Sequence, residues 1–149
     1  MAQPAVLDDQ RDDLFDAPDR RAEWSPWPYE QPKVLVLDDD DDTRGMLVTM
    51  LEHAGVIALQ ASTADAGLYL ARSEQISAMI LDVMLPDNNG FEVCRLLRDD
   101  QETRRIRVIM ITALSGITDE VTGILAGADA YLVKPLHREE LLRRLRELL

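Results

Sequence analysis

A single cysteine, Cys94, occurs in the whole chain of 149 residues. An internal disulfide is thereby excluded, and the usage fits a reducing cytoplasm. Long apolar runs are missing as well: nothing approaches the ~20 residues that a membrane helix needs. The opening, MAQPAVLDDQRDD, has neither a basic n-region nor a long apolar core, so it does not read as a secretory signal. Basic residues are in deficit, 16 Lys and Arg against 28 Asp and Glu, for a net charge of −12. A surface of that sign makes nucleic-acid backbones and anionic membranes poor partners. What is present is a hydrophobic fraction of 46%, suited to one globular domain with a buried core.

The first 32 residues carry no sustained apolar periodicity and hold eight acids and three arginines. Prolines at 18, 26, 28 and 32 remove amide donors and favour extended backbone. Residues 1–32 therefore read as a flexible acidic arm; docking of Trp24, Trp27 and Tyr29 on a surface is the alternative to a solvated linker. From Lys33 the pattern changes. KVLVLD reads as a strand buried on both faces. A helix follows, with Met46, Leu47, Met50, Leu51 and Ala54 at helical spacing, Asp41 or Asp42 as cap and Gly55 as its C′ residue. The same alternation repeats. Strands are expected at 56–61, 78–82, 107–112 and 130–134. The helices between and after them are STADAGLYLARSE (slightly weakened by Gly67), FEVCRLLRDD, TDEVTGILAG closed by Gly127, and HREELLRRLRELL. Five strands each followed by a helix predict an α/β fold: one doubly wound parallel sheet with helices on both faces, spanning residues 33–149.

In such sheets ligands collect at the carboxyl ends of the strands. Polar residues stand there in this chain: Asp38 and Asp39 after the first strand, Asp82 after the third, Thr112 after the fourth and Lys134 after the fifth. Three crowded carboxylates repel one another unless a cation neutralises them, and a hard divalent ion such as Mg²⁺ suits oxygen ligands. Lys134 and Thr112 could contact the other oxygens of a phosphoryl group, with Asp82 as a carboxylate nucleophile. Each residue alone is better read as a surface acid, a capping Thr or a solvated Lys. All five at successive strand ends are not.

The motifs VLVLDD, LDVMLPD, ITA and YLVKP, separated by 44, 30 and 22 residues from Asp38 to Asp82, Thr112 and Lys134, resemble the receiver domains of two-component response regulators. The resemblance covers residues 33–149 and implies a flavodoxin-like sheet of strand order 2-1-3-4-5. By it, Asp82 accepts the phosphoryl group. Asp39 binds the metal directly, Asp38 through water, and Met84 gives a backbone carbonyl. Thr112 is the switch hydroxyl, Lys134 pairs with the phosphate, and Tyr131 is the aromatic that responds. Pro135 matches a proline that often follows a cis bond. The implied partners are a histidine kinase or phosphotransfer protein and a downstream protein or attached output domain. A phosphorylation-dependent dimer is also implied, with no nucleic acid or membrane contact through this chain. The implied activities are Mg²⁺-dependent self-phosphorylation and autodephosphorylation in the service of signalling. Met84 and Leu114, apolar at positions that tune dephosphorylation, imply a long-lived phosphoryl state.

Departures from the family pattern are specific. Five acids, Asp38 to Asp42, replace the usual pair, and Arg44 sets the register at Asp38-Asp39. Asn88-Asn89 replaces an acidic loop, and Leu136 a frequent aromatic. Glu120 and Ala130 stand where the DNA-binding subclass tends to carry charged dimer contacts. Two other readings of the chain exist. Asp39-x-Asp41 is also the opening motif of haloacid-dehalogenase-type phosphatases, but no acidic pair follows Lys134; a phosphorylation-independent interaction module is the other. A calcium loop fails because Thr43 and Thr49 stand where Gly and Glu are needed. His53 and His137 read as surface or helix-end residues, and Cys94 as a small core residue. The last helix runs to Leu148-Leu149 without a Gly cap, as expected of a chain cut from a longer one, whereas the arm reads as a natural start.

Overall fold

The computed structural model describes Trp27 and residues 30–149. Ten elements alternate: β1 (Lys33–Leu37), α1 (Asp41–His53), β2 (Ile57–Ala61), α2 (Ala64–Ser73), β3 (Ala78–Leu81), α3 (Gly90–Asp99), β4 (Arg107–Thr112), α4 (Ile117–Ala126), β5 (Ala130–Val133) and α5 (Arg138–Leu148). The strands form one sheet in the order β2-β1-β3-β4-β5, and every neighbouring pair is parallel. The expected doubly wound sheet and its order are therefore those observed.

Period-two alternation divides the core between the two faces of the sheet. Leu35 and Leu37 of β1 pack on the side closed by Ala64 and Ala71 of α2, Val93, Cys94 and Leu97 of α3, and Ala126 of α4. Val34 and Val36 point to the side closed by Leu47 and Leu51 of α1 and Leu141, Leu142 and Leu145 of α5. Gly67 has a packing reason in α2: a Cβ there would come within 2.6 Å of Leu37 Cδ2, so a residue that costs helix propensity lets α2 approach β1.

The helix ends follow capping chemistry, with one correction. Asp40, not Asp41 or Asp42, caps α1, its carboxylate accepting from Thr43 N at 2.9 Å. Asp41 and Asp42 are instead the first helical residues, where negative charge favours the helix dipole. Thr63 and Asn89 cap α2 and α3. Gly55 (φ +85°) and Gly127 (φ +107°) close α1 and α4 in the left-handed region that glycine tolerates. Asp82 and Lys134 each stand one residue beyond their strand ladders, and β2 begins at Ile57 rather than 56. The Lys134–Pro135 bond is cis.

Most of the expected arm lies outside the described residues. Trp27 does not: it is 5% exposed, belongs to the α1/α5 side of the core, and donates its indole N–H to the Ala54 carbonyl at 3.0 Å. At this one residue the chain is packed against the domain; Trp24 and Tyr29, the other members of the docking alternative, lie outside the described residues.

Candidate acidic site at the strand ends

The order of strands reverses between β1 and β3, which opens a crevice at their carboxyl ends. Asp38 follows β1 and Asp82 follows β3, so the two acids flank this switch point. Carboxylate oxygens of Asp38, Asp39 and Asp82 lie within 4.8 Å of one another. Asp38 and Asp82 are buried while Asp39 is exposed, so the cluster has a closed floor and an open lip.

Lys134 holds the two buried acids together. Its Nζ donates to Asp38 Oδ2 at 3.2 Å and to Asp82 Oδ2 at 3.0 Å. Desolvation pulls the pKa of this ammonium down, but the hydrogen bond and charge of Asp82, then those of Asp38, outweigh it and leave the pKa raised. The other oxygens are also engaged: Asp82 Oδ1 accepts from Met84 N at 3.1 Å and Asp38 Oδ1 from Asp40 N at 2.9 Å. Arg44 fixes the β1–α1 turn by donating to the Asp38 carbonyl (2.9 Å), Gln60 Oε1 (3.0 Å) and Asp41 Oδ1 (2.6 Å).

Thr112 reaches the same edge from β4, fully buried, and its hydroxyl accepts from Leu114 N at 3.3 Å. The Leu114 carbonyl in turn accepts from the Tyr131 hydroxyl at 2.9 Å. One residue, Leu114, thus links Thr112 to Tyr131, whose ring is largely buried at 9% exposure. Burial first, then the charges of Asp119, Glu120 and Asp82, raise the pKa of that phenol. Met84 is exposed, and its backbone forms an isolated bridge with Asn89. The structure therefore bonds Lys134 to Asp38 and Asp82 and brings Asp39 within 4.8 Å of those two acids; Thr112 and Tyr131 meet each other through Leu114.

Two contributors escaped the sequence reading. A Cβ on Gly90 would stand 2.7 Å from the Asp82 carbonyl oxygen and 2.8 Å from Val83 Cα, both backbone, so only glycine lets α3 start against the strand end. Asp87 accepts from Ala64 N (2.8 Å) and Asp65 N (3.1 Å), tying the loop after Asp82 to the start of α2. Neither role leaves a periodic signal, because both depend on contacts between distant segments.

The sequence family is decided by the family model for the response regulator receiver domain, which matches residues 34–146. The chain belongs to the response regulator receiver family. This receiver is 43% identical over 118 residues to the DNA-binding dual master transcriptional regulator RpaA of Synechocystis sp., a match covering 79% of this chain and 49% of that protein. Its fold is similar to the BeF3-activated DrrB receiver domain (TM-score 0.71, 32% identity, covering 79% of this chain and 97% of that one). It also resembles the chemotaxis response regulator CheY4 of Vibrio cholerae (TM-score 0.75, 29% identity, 80% and 99% covered). The receiver spans about half the length of the curated relatives it matches. Membership of this family sets aside the phosphatase reading of Asp39 and Asp41. In the structure Asp41 is tied to Arg44, away from the carboxylate cluster.

The all-oxygen donor set of Asp38, Asp39 and Asp82 fits a hard divalent cation such as the Mg²⁺ typical of receiver domains. Among the described residues no helix is long and apolar enough to cross a membrane.

Proposed function

We propose that this receiver is a phosphorylation-controlled signalling switch whose acceptor is Asp82, loaded by a histidine kinase or phosphotransfer protein. The observation that carries the reading is the buried Asp82 carboxylate held by Lys134 within 4.8 Å reach of two further aspartates. Asp38 and Asp39, with the Met84 carbonyl, are the remaining ligands assigned to Mg²⁺. When bound, that ion would neutralise the acids and the phosphoryl oxygens that approach them. A carboxylate oxygen of Asp82 attacks phosphorus as the bond from phosphorus to the donor imidazole nitrogen breaks, leaving an acyl phosphate. Lys134 holds the carboxylate in place before transfer and balances the added charge afterwards.

The Thr112 hydroxyl is the group that senses the new charge. Its movement toward the phosphoryl oxygens breaks the bond to Leu114 N, and Leu114 carries the change to Tyr131. Tyr131 lies against Gly123 of α4, so the consequence appears on the surface of α4, β5 and α5. A bias of a few kcal/mol inverts such a two-state population. Ile117, Val121, Ile124 and Leu125 of α4 and Val133 of β5 are exposed there, a patch suited to a partner or an attached output domain.

Incubation with a small phosphodonor and Mg²⁺ tests the acceptor. The wild type is expected to become labelled, and Asp82→Asn and a chelator are each expected to abolish labelling. Label retained by Asp82→Asn would refute the assignment. Lys134→Ala is expected to separate labelling from any change at Tyr131. The apolar side chains of Met84 and Leu114 do not orient a hydrolytic water, so the label is expected to decay slowly in the isolated chain.

A further inference from the structure

The end of the sheet opposite the carboxylates holds a local cluster of arginines among acids such as Asp99 and Glu102. Arg98, Arg104, Arg105 and Arg107 line, with Ile106 and Asp129, a cleft of about 360 Å³ at the start of β4. Arg98 is committed to structure. It donates to the carbonyls of Gly127 (2.7 and 3.0 Å), Ile106 (2.6 Å) and Arg104 (3.0 Å), and to Asp129 Oδ2 at 3.1 Å. Asp129, the only carboxylate in that lining, is already shared between Arg98, Arg107 (3.4 Å) and the Val108 amide (2.8 Å). Arg104 and Arg105 are exposed beside it. Glu102 lines a neighbouring cleft, and Asp100 is held by Arg72 at 2.9 Å. Guanidinium forks concentrated in this way, on a chain of net charge −12, favour a carboxylate-rich ligand with methylene or apolar content.

The chain supplies such a ligand. Residues 8–19 read DDQRDDLFDAPD, six aspartates and one arginine around Leu14 and Phe15. Trp27 is pinned to the Ala54 carbonyl, in the turn before β2, at the same end of the sheet as the arginines. β2 and β4 are separated by β1 and β3, a lateral distance of about 14 Å at the usual strand spacing. The eight residues from Asp19 to Trp27 span up to about 27 Å when extended, roughly twice that lateral component, which leaves length for passing from the α1/α5 side to the α3 side.

We propose that the acidic segment 8–19 docks in the Arg104–Arg107 cleft of its own chain, with Trp27 as the anchor of the strap. Charge complementarity and the position of the anchor carry the inference independently of phosphorylation at Asp82. A nitroxide attached through Gln10→Cys tests it in the full chain, since Cys94 is fully buried and stays unlabelled. Loss of the amide NMR signals of residues 104–107 is expected. Those signals should return in Arg104→Glu/Arg105→Glu, and in wild type at about 0.5 M salt, where the Debye length falls to about 4 Å. Signals that never broaden overturn the proposal, as does broadening that ignores charge reversal and salt. Broadening that disappears on dilution assigns the cleft to a second copy's arm and likewise overturns it.

Discussion

Five consecutive aspartates take separate positions in the folded chain. Asp38 and Asp39 join Asp82, Asp40 caps α1, Asp41 pairs with Arg44, and Asp42 lies exposed in the first turn of the helix. Composition cannot separate them; the turn that Arg44 fixes does. The same dependence on local packing makes Gly90 a sensitive position. Gly90→Ala puts a methyl against backbone at Asp82 and Val83, so a loss of about 1–3 kcal/mol in urea unfolding is expected, with slower labelling of Asp82. Cys94 is the converse case. Burial pushes its thiol up to about 11, against a smaller pull from Arg98, so native protein at neutral pH should leave thiol reagents unreacted while the unfolded chain consumes one equivalent. The converging carboxylates and the lysine were legible because each sits at a strand end that periodicity locates. Gly90 and Asp87 were not, because their partners lie in segments that only the fold brings near.

Elements were legible to within a residue or two, with errors at the ends, where a cap depends on one side-chain hydrogen bond. Asp40 shows this: its neighbours are also Asp, and only geometry selects the one that accepts from Thr43. Trp27 was obscured by the prolines around it, since an isolated anchor has no period. Trp27→Ala is expected to cost about 3 kcal/mol in urea unfolding, because a buried indole leaves the α1/α5 side of the core; an unchanged midpoint would contradict its place there. Capping also sets a pH dependence. The amides of Ala64 and Asp65 hold the Asp87 carboxyl below its ordinary 3.8, the Thr43 hydroxyl and amide do the same for Asp40, and the Glu102 amide and Arg72 for Asp100. Groups lowered on folding stabilise above the unfolded value and lose that contribution as pH falls through the folded one. Urea midpoints should therefore vary little from these groups between roughly pH 5 and 7 and drop below about pH 4, with a shallower drop in Asp87→Asn.

At the scale of the molecule, the two ends of the sheet differ in character. The carboxyl ends gather buried acids around Lys134, and the amino ends gather arginines around Asp129. Between them α4 exposes Ile117, Val121, Ile124 and Leu125, and Tyr131 lies behind that helix with its hydroxyl on Leu114. This layout puts the proposed acceptor, the proposed relay and the apolar surface on one continuous path. In the proposed switch, everything along it starts with a phosphoryl group on one carboxylate. Borohydride reduction of the chain after treatment with a phosphodonor and Mg²⁺, followed by peptide mass spectrometry, locates that group, because an acyl phosphate of aspartate is reduced to homoserine. Homoserine at position 82 is the predicted result; homoserine at 38 or 39, or at no position in a donor-competent preparation, would contradict the account.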